Sequence, residues 1–303
     1  LGKEAALFVP SGTMANQVAL RTHTEPGDEI IVESGSHIFL YEGGGFAALS
    51  GLSARCVAGQ AGVMALDDVR EAVRPPGGLS HYPNTSVLCV ENTANRAGGT
   101  VVSAEHCVAL GEVAHEQGLA YHLDGARMFN AATVQGISAA ELVAPFDSIS
   151  FCLSKGLGCP VGSLLVGSEA FIARAHRFRK MFGGGMRQAG VLAAAGLYAL
   201  DHHIARLADD HLRARVLGEQ LDAMAGFSVN LDSVATNMVY ADVHADFGSA
   251  AALVEHLCAQ GILITAVSSQ SVRFVSHLDV DDDGITRALE ACSSFVTTGR
   301  ASA

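Results

Sequence analysis

A chain of 303 residues that is 49% hydrophobic and 17% charged has the apolar side chains for a sizeable core, which excludes a disordered or fibrous protein. Lys and Arg number 19 against 31 Asp and Glu, a formal charge of −12 with no basic stretch, so no nucleic-acid partner is expected. No apolar run approaches the ~20 residues that cross a bilayer, no signal-peptide pattern is visible, and the seven scattered Cys form no C-x-x-C pair; the expectation is free thiols in a cytoplasmic protein with no membrane partner and no metal site.

The chain opens on LGKEAALFV without a Met, which reads as partway through a helix whose cap lies upstream, so a missing first segment is expected. Apolar runs bounded by turn residues predict strands at AALFV (5–9), EIIVE (29–33), SVLCVEN (86–92), LAYHLD (119–124), DSISFCLS (147–154) and GSLLVG (162–167). Between them, amphipathic spacing predicts helices at TMANQVALRTH (13–23), SAEHCVALGEVAHEQG (103–118) and SAAELV (138–143), while RPPGGLSHYPN (74–84) reads as a loop. From Ser168 to about Ser228 the pattern is nearly all helix, broken by FGGGMRQ (182–188). Beyond it NMVYADV and SVRFVSHLDV read as strands, and GSAAALVEHLCAQG and the segment from Asp283 as helices. Strands alternating with helices predict an α/β large domain with a mainly parallel sheet over residues 1–200, followed by a smaller α+β domain over 201–303.

Five segments carry residues suited to chemistry. In SFCLSKGLGCPVG (150–162) an apolar strand runs into Lys155, where a buried ammonium is costly; condensation with a carbonyl ligand removes the charge, and the neighbouring glycines admit a flat ligand. The plainer alternative is a strand-end lysine reaching solvent. HLDGARMFNAA (122–132) ends a second strand at Asp124, so in an open parallel sheet Asp124 and Lys155 would face one crevice. There Asp124 could pair with a pyridinium nitrogen and Arg127 with a carboxylate or ring hydroxyl; the alternative is a helix-cap Asp with a surface Arg. VPSGTMANQ (9–17) leads a strand through Ser11, Gly12 and Thr13 into a helix, a phosphate site or an ordinary turn. His37, ahead of the glycine- and aromatic-rich stretch to Gly51, could stack on a pyridine face or be structural. Arg273, inside the later strand, needs a partner and could clamp a carboxylate.

Taken together, GKEAALFVPSGTMAN, SHIFLYEGGGFAALSG, ENTANRAGG, HLDGARMFNA, CLSKGLGCPVGSLLVGS, FRKMFGGGMRQAGVLAAAGLYAL and VRFVSHLDV resemble the low-specificity L-threonine aldolase family, over nearly the whole chain. The resemblance implies an aspartate-aminotransferase-like fold (fold type I), the cofactor pyridoxal 5'-phosphate, and cleavage of L-threonine, L-allo-threonine and related β-hydroxy-α-amino acids to glycine and an aldehyde. It makes Lys155 the residue bonded to the cofactor, Asp124 the partner of the ring nitrogen and His37 the ring that stacks. Ser11, Gly12 and Thr13 hold the phosphate; Arg127 and Arg273 bind the substrate carboxylate, with Arg127 also near the cofactor hydroxyl. It further implies a homotetramer whose active sites are shared, with Lys180 and Arg187 reaching a phosphate across the interface. Two departures stand out: Ala94 occupies a place where relatives carry a His that recognises the β-hydroxyl, and relatives begin with a segment bearing a Ser near the substrate carboxylate. The rival readings are another fold-type I reaction (transamination, racemisation or β-elimination) and a cofactor-binding protein that has lost catalysis.

Overall fold

The computed structural model describes residues 1–75 and 80–301, and the chain divides into two compact units, Leu1–Ile204 and Ala205–Ala303. Each is built around its own sheet.

The first unit runs β1 (Ala5–Val9), α1 (Gly12–His23), β2 (Glu29–Glu33), α2 (His37–Leu40), α3 (Gly45–Ser50), β3 (Ser53–Val57), the hairpin β4 (Gly59–Gln60) and β5 (Val63–Met64), and α4 (Leu66–Ala72). It continues with β6 (Thr85–Glu91), α5 (Ala104–Glu116), β7 (Ala120–Asp124), α6 (Met128–Gln135), α7 (Ala139–Val143), β8 (Ser148–Cys152), β9 (Ser163–Gly167), α8 (Glu169–Met181) and α9 (Gly190–His202). Seven strands form one sheet in the order β1-β9-β8-β7-β6-β2-β3. The run from β8 to β3 is parallel, and β9 is antiparallel to both its neighbours. Strands covered on both faces read as unbroken apolar runs, and EIIVE and SISFC are buried at every position. The two glutamates of β2 are tolerated there because each is satisfied: Arg74 meets Glu29 through Nε and Nη2, both at 2.9 Å, and Glu33 accepts from the Gly35 N–H at 2.7 Å.

The helices begin where serines can cap them. Ser11, Ser103, Ser138 and Ser168 each accept a backbone N–H from three residues on, at the starts of α1, α5, α7 and α8. Along α5, Cys107, Leu110, Val113 and Ala114 recur at helical spacing and are buried.

One expectation needs correction, one strand was missed, and one expectation falls partly outside the described residues. The chain start is not helical: residues 1–4 lead straight into β1, whose partner β9 supplies its backbone pairing, and the Lys3 ammonium caps the Phe146 carbonyl at 2.7 Å. β3 was not predicted, because an edge strand reading SARCV leaves four of its five positions outside the core and shows no apolar run. The loop expected over 74–84 falls partly on residues 76–79, outside the described residues.

The second unit comprises α10 (Leu207–Asp222), β10 (Phe227–Val229), β11 (Met238–Val243), α11 (Ala250–Cys258), β12 (Thr265–Ala266), β13 (Ser271–Val275) and α12 (Asp282–Ala301). Its antiparallel sheet, β10-β11-β13-β12, shares a core with the three helices through Leu217, Leu221, Val239, Leu253, Phe274 and Cys292. β13 stops at Val275, short of the stretch to Val280 that the sequence suggested; the Ser276 N–H turns to the Asn237 carbonyl, and His277–Val280 closes a turn.

Candidate active site

Parallel strands release their last residues along one edge of a sheet, and that edge is where an open α/β fold binds its ligand. Asp124 is the last residue of β7, in register with Glu91 at the end of β6 and Ser150 in β8. Lys155 follows β8 by three residues, in a turn closed by the Gly158 N–H to the Lys155 carbonyl at 2.9 Å. Asp124 is buried and Lys155 half-buried. His37 opens α2, just past β2; its backbone N–H donates to Glu91 Oε2 at 2.6 Å, and its ring Nδ1 lies 3.2 Å from Glu42 Oε1. One ligand atom each from His37, Glu42 and Asp124 lies within 4.8 Å of the others. The structure therefore brings together His37, Glu42 and Asp124, and it places Lys155 near enough for its charge to act on His37, although these residues lie far apart in sequence.

The electrostatics follow from burial and proximity. The hydrogen bond that the His37 ring donates to Glu42 raises the His37 pKa above its usual value; burial opposes this, Asp124 supports it, and Lys155 lowers it. Burial, reinforced by Asp124, pushes the Glu91 carboxyl up to about 7, even though the N–H groups of Asn95 and His37 pull it down. Glu42, Glu91 and Asn16 are thus part of the site, and the sequence reading did not single them out. Glu42 sits inside SHIFLYEGGGFAALSG and Glu91 inside ENTANRAGG, but neither has a local pattern. The available signal was Asn16-Gln17, two amides on the face of α1 that should be apolar; both are 1% exposed.

The start of α1 meets the same edge. A Cβ on Gly12 would lie 2.9 Å from the Sγ of Cys152, the last residue of β8, so only glycine lets the helix start come this close. The Ser11 hydroxyl accepts the Met14 N–H at 3.2 Å, which leaves the Gly12 and Thr13 N–H groups outside the helical ladder and directed away from it. Arg127, half-buried, caps α6 three residues after Asp124. Lys180 lies in the last turn of α8 and Arg187 lies between α8 and α9; both are exposed, and no hydrogen bond among the described residues joins them to the His37–Asp124–Lys155 group. Arg273 lies on β13 of the second unit, opposite Tyr240 and Thr265. Ala94 is buried beside the β4–β5 hairpin, so close that a Cβ on Gly62 would stand 2.5 Å from its methyl; it borders a cavity of about 390 Å³ that Glu91, Asn95 and Arg96 also line.

Residues 1–244 match the β-eliminating lyase family. The chain is 44% identical to the low specificity L-threonine aldolase of Escherichia coli O157:H7, over 97% of this chain and 85% of the relative. It is 41% identical to low-specificity L-threonine aldolase 1 of Arabidopsis thaliana, over 98% of this chain and 84% of the relative. The solved threonine aldolase of Leishmania major superposes with a TM-score of 0.81 at 19% identity, covering 96% of this chain and 84% of that one, and shows the fold. The site suits the cofactor of that fold: a buried carboxylate, a half-buried amine and an imidazole stand at the sheet edge, beside a helix start kept bare by Gly12. No helix among the described residues is long and apolar enough to cross a membrane. The chain belongs to the low-specificity L-threonine aldolase family, pyridoxal-phosphate-dependent enzymes of fold type I.

Proposed function

We propose that this chain cleaves the Cα–Cβ bond of L-threonine, L-allo-threonine and related β-hydroxy-α-amino acids, releasing glycine and an aldehyde. The observation that carries the reading is the meeting of His37, Asp124 and Lys155 at one sheet edge, in a chain whose relatives are named threonine aldolases. Bound pyridoxal phosphate supplies the electron sink that accepts the pair left on Cα when the bond breaks. Lys155 holds the cofactor through its amine, and the Asp124 carboxylate meets the ring nitrogen. Ser11, Gly12 and Thr13 cradle the phosphate with backbone and hydroxyl donors. The family resemblance assigns Arg127 and Arg273 to the substrate carboxylate, whose grip decides which bond at Cα breaks. His37 stacks on the ring and takes the proton of the β-hydroxyl on Nε2; the hydrogen bond of its Nδ1 to Glu42 strengthens it as a base. The methyl of Ala94 can neither accept nor donate a proton, which leaves that task to His37.

The family resemblance also suggests a homotetramer with Lys180 and Arg187 at a neighbouring subunit's phosphate. An exposed apolar helix supports it: on α9, Val191, Leu197 and Tyr198 are exposed beside Met181 and Met186. The division into a cofactor-binding domain over 1–200 and a C-terminal domain over 201–303 is part of the same proposal, as is a cytoplasmic setting, which suits seven free thiols. The test is an absorption spectrum of the purified protein with added cofactor, before and after L-threonine and L-allo-threonine, with glycine and acetaldehyde assayed. A visible band that is lost in Lys155→Ala, together with both products, is the expected result. A band without glycine moves the reading to another fold-type I reaction, and no band at all refutes it.

A further inference from the structure

Asn16 faces the sheet from α1, and all its polar atoms are engaged. Its Nδ2 donates to Glu42 Oε1 at 2.8 Å and to Asp124 Oδ2 at 2.9 Å. Its Oδ1 accepts from Ser150 Oγ at 2.7 Å and lies 3.1 Å from His122 Nε2. A carboxylate only accepts, so the amide has a single orientation. Because Oδ1 cannot donate, His122 must carry its proton on Nε2, and its Nδ1 must accept from Ser148 Oγ, 2.8 Å away. That takes up the one hydroxyl proton of Ser148, so His23 Nε2, 2.8 Å from the same oxygen, is the donor there. Every proton from His23 to Asp124 is thereby placed, with each donor directed toward the two carboxylates. The middle of the chain is shut off from solvent, since His122 and Ser148 are fully buried, while His23 at its far end is partly exposed.

We infer that Asn16 is a positioning residue for the carboxylate that meets the cofactor ring, held in its one orientation by the directed chain His23–Ser148–His122–Asn16. This rests on the assignment of Asp124 to the ring nitrogen. Burial drives His122 down to about 3 and His23 down to about 4, so the chain stays neutral. It therefore offers Asp124 an oriented dipole and no cation that would compete with the ring nitrogen. The other groups around Asp124 are Glu42, Glu91, His37 and Cys89, and none of these can present two protons to both carboxylates from the helix side.

The first test is a long-range 15N–1H NMR spectrum of the full chain, with the His122 signals assigned by their absence in His122→Gln. A neutral Nε2–H tautomer at pH 6 is expected; an Nδ1–H tautomer or a protonated ring overturns the inference. The second test is the affinity for pyridoxal phosphate in Asn16→Leu and Asn16→Ser. Loss of hydrogen bonds to a charged group weakens binding by about tenfold or more in Asn16→Leu, and the single hydroxyl of Asn16→Ser recovers part of it. Wild-type affinity in Asn16→Leu, with affinity lost in Asp124→Asn, overturns this inference alone. Wild-type affinity in Asp124→Asn overturns the ring-nitrogen assignment and the inference with it. If Asn16→Leu does not fold, the tautomer of His122 in the wild-type chain still decides.

Discussion

His23 makes the fold acid-labile, and His23→Gln should remove that liability. Its ring stacks on Phe171 at 4.5 Å and donates to Ser148, and burial lowers its pKa from 6.5 to about 4; Asp147 opposes the shift and Arg174 adds to it. A histidine with a depressed folded-state pKa contributes stability that is present above pH 6.5, and this is lost as pH falls toward about 4, where the unfolded chain alone binds the proton. Over those about 2.5 pH units, at about 1.4 kcal/mol each, the loss comes to roughly 3 kcal/mol, a large part of a typical stability of about 5–15 kcal/mol. Glutamine keeps an N–H for Ser148 but gives up the stacking, so His23→Gln should be about 1 kcal/mol less stable at pH 7. Below pH 6 the gap should close and then reverse. Glu91 has the opposite dependence, gaining stability as pH falls from about 7, but it is common to both proteins and cancels in the difference. His122 has the same sign as His23 and also remains in both. Urea unfolding followed by circular dichroism at pH 7, 5.5 and 4.5 measures the effect. Parallel stability curves for the two proteins would refute a buried neutral His23.

Other expectations can be checked together. Lys155→Ala should lose the visible cofactor band and at least about a thousandfold in kcat/KM, read by spectrum and glycine assay, while its melting temperature changes little. Gly62→Ala should destabilise by about 1–3 kcal/mol, since its φ of +82° suits glycine and the new Cβ would stand 2.5 Å from the Ala94 methyl; thermal unfolding reports it. Glu91, raised to about 7, costs stability as pH climbs from about 4.5 through 7. Glu91→Gln should therefore lose less stability between pH 5 and 8 than the wild type, by roughly 3 kcal/mol, in the same urea titration.

Much of the fold was legible locally. The strands β1, β2, β6, β7, β8 and β9 announce themselves as apolar runs because their sheet is covered on both faces, most completely at β2 and β8, which are buried at every position. The helices announce themselves by period and by serine caps. Lys155 and Asp124 stood out because a charged residue ending an apolar strand needs a reason, and the motif resemblance supplied one. β3 was hidden because its strand state comes from pairing with β2, not from its own residues. The end of β13 was misplaced because apolar residues continue into a turn.

The sequence by itself determined the period and polarity of each segment, which sets element type and the family of chemistry, since both depend on residues near in the chain. Only the tertiary structure decided which polar groups share a buried volume. Asn16, Glu42, Glu91, His122 and Asp124 come from three elements and the turn after α2, and they answer one another only after the sheet has formed. Hydrogen bonding and mutual pKa shifts act over a few ångströms of space whatever the separation along the chain, so the amides on the inner face of α1 marked a buried polar group locally but no local pattern named its partners.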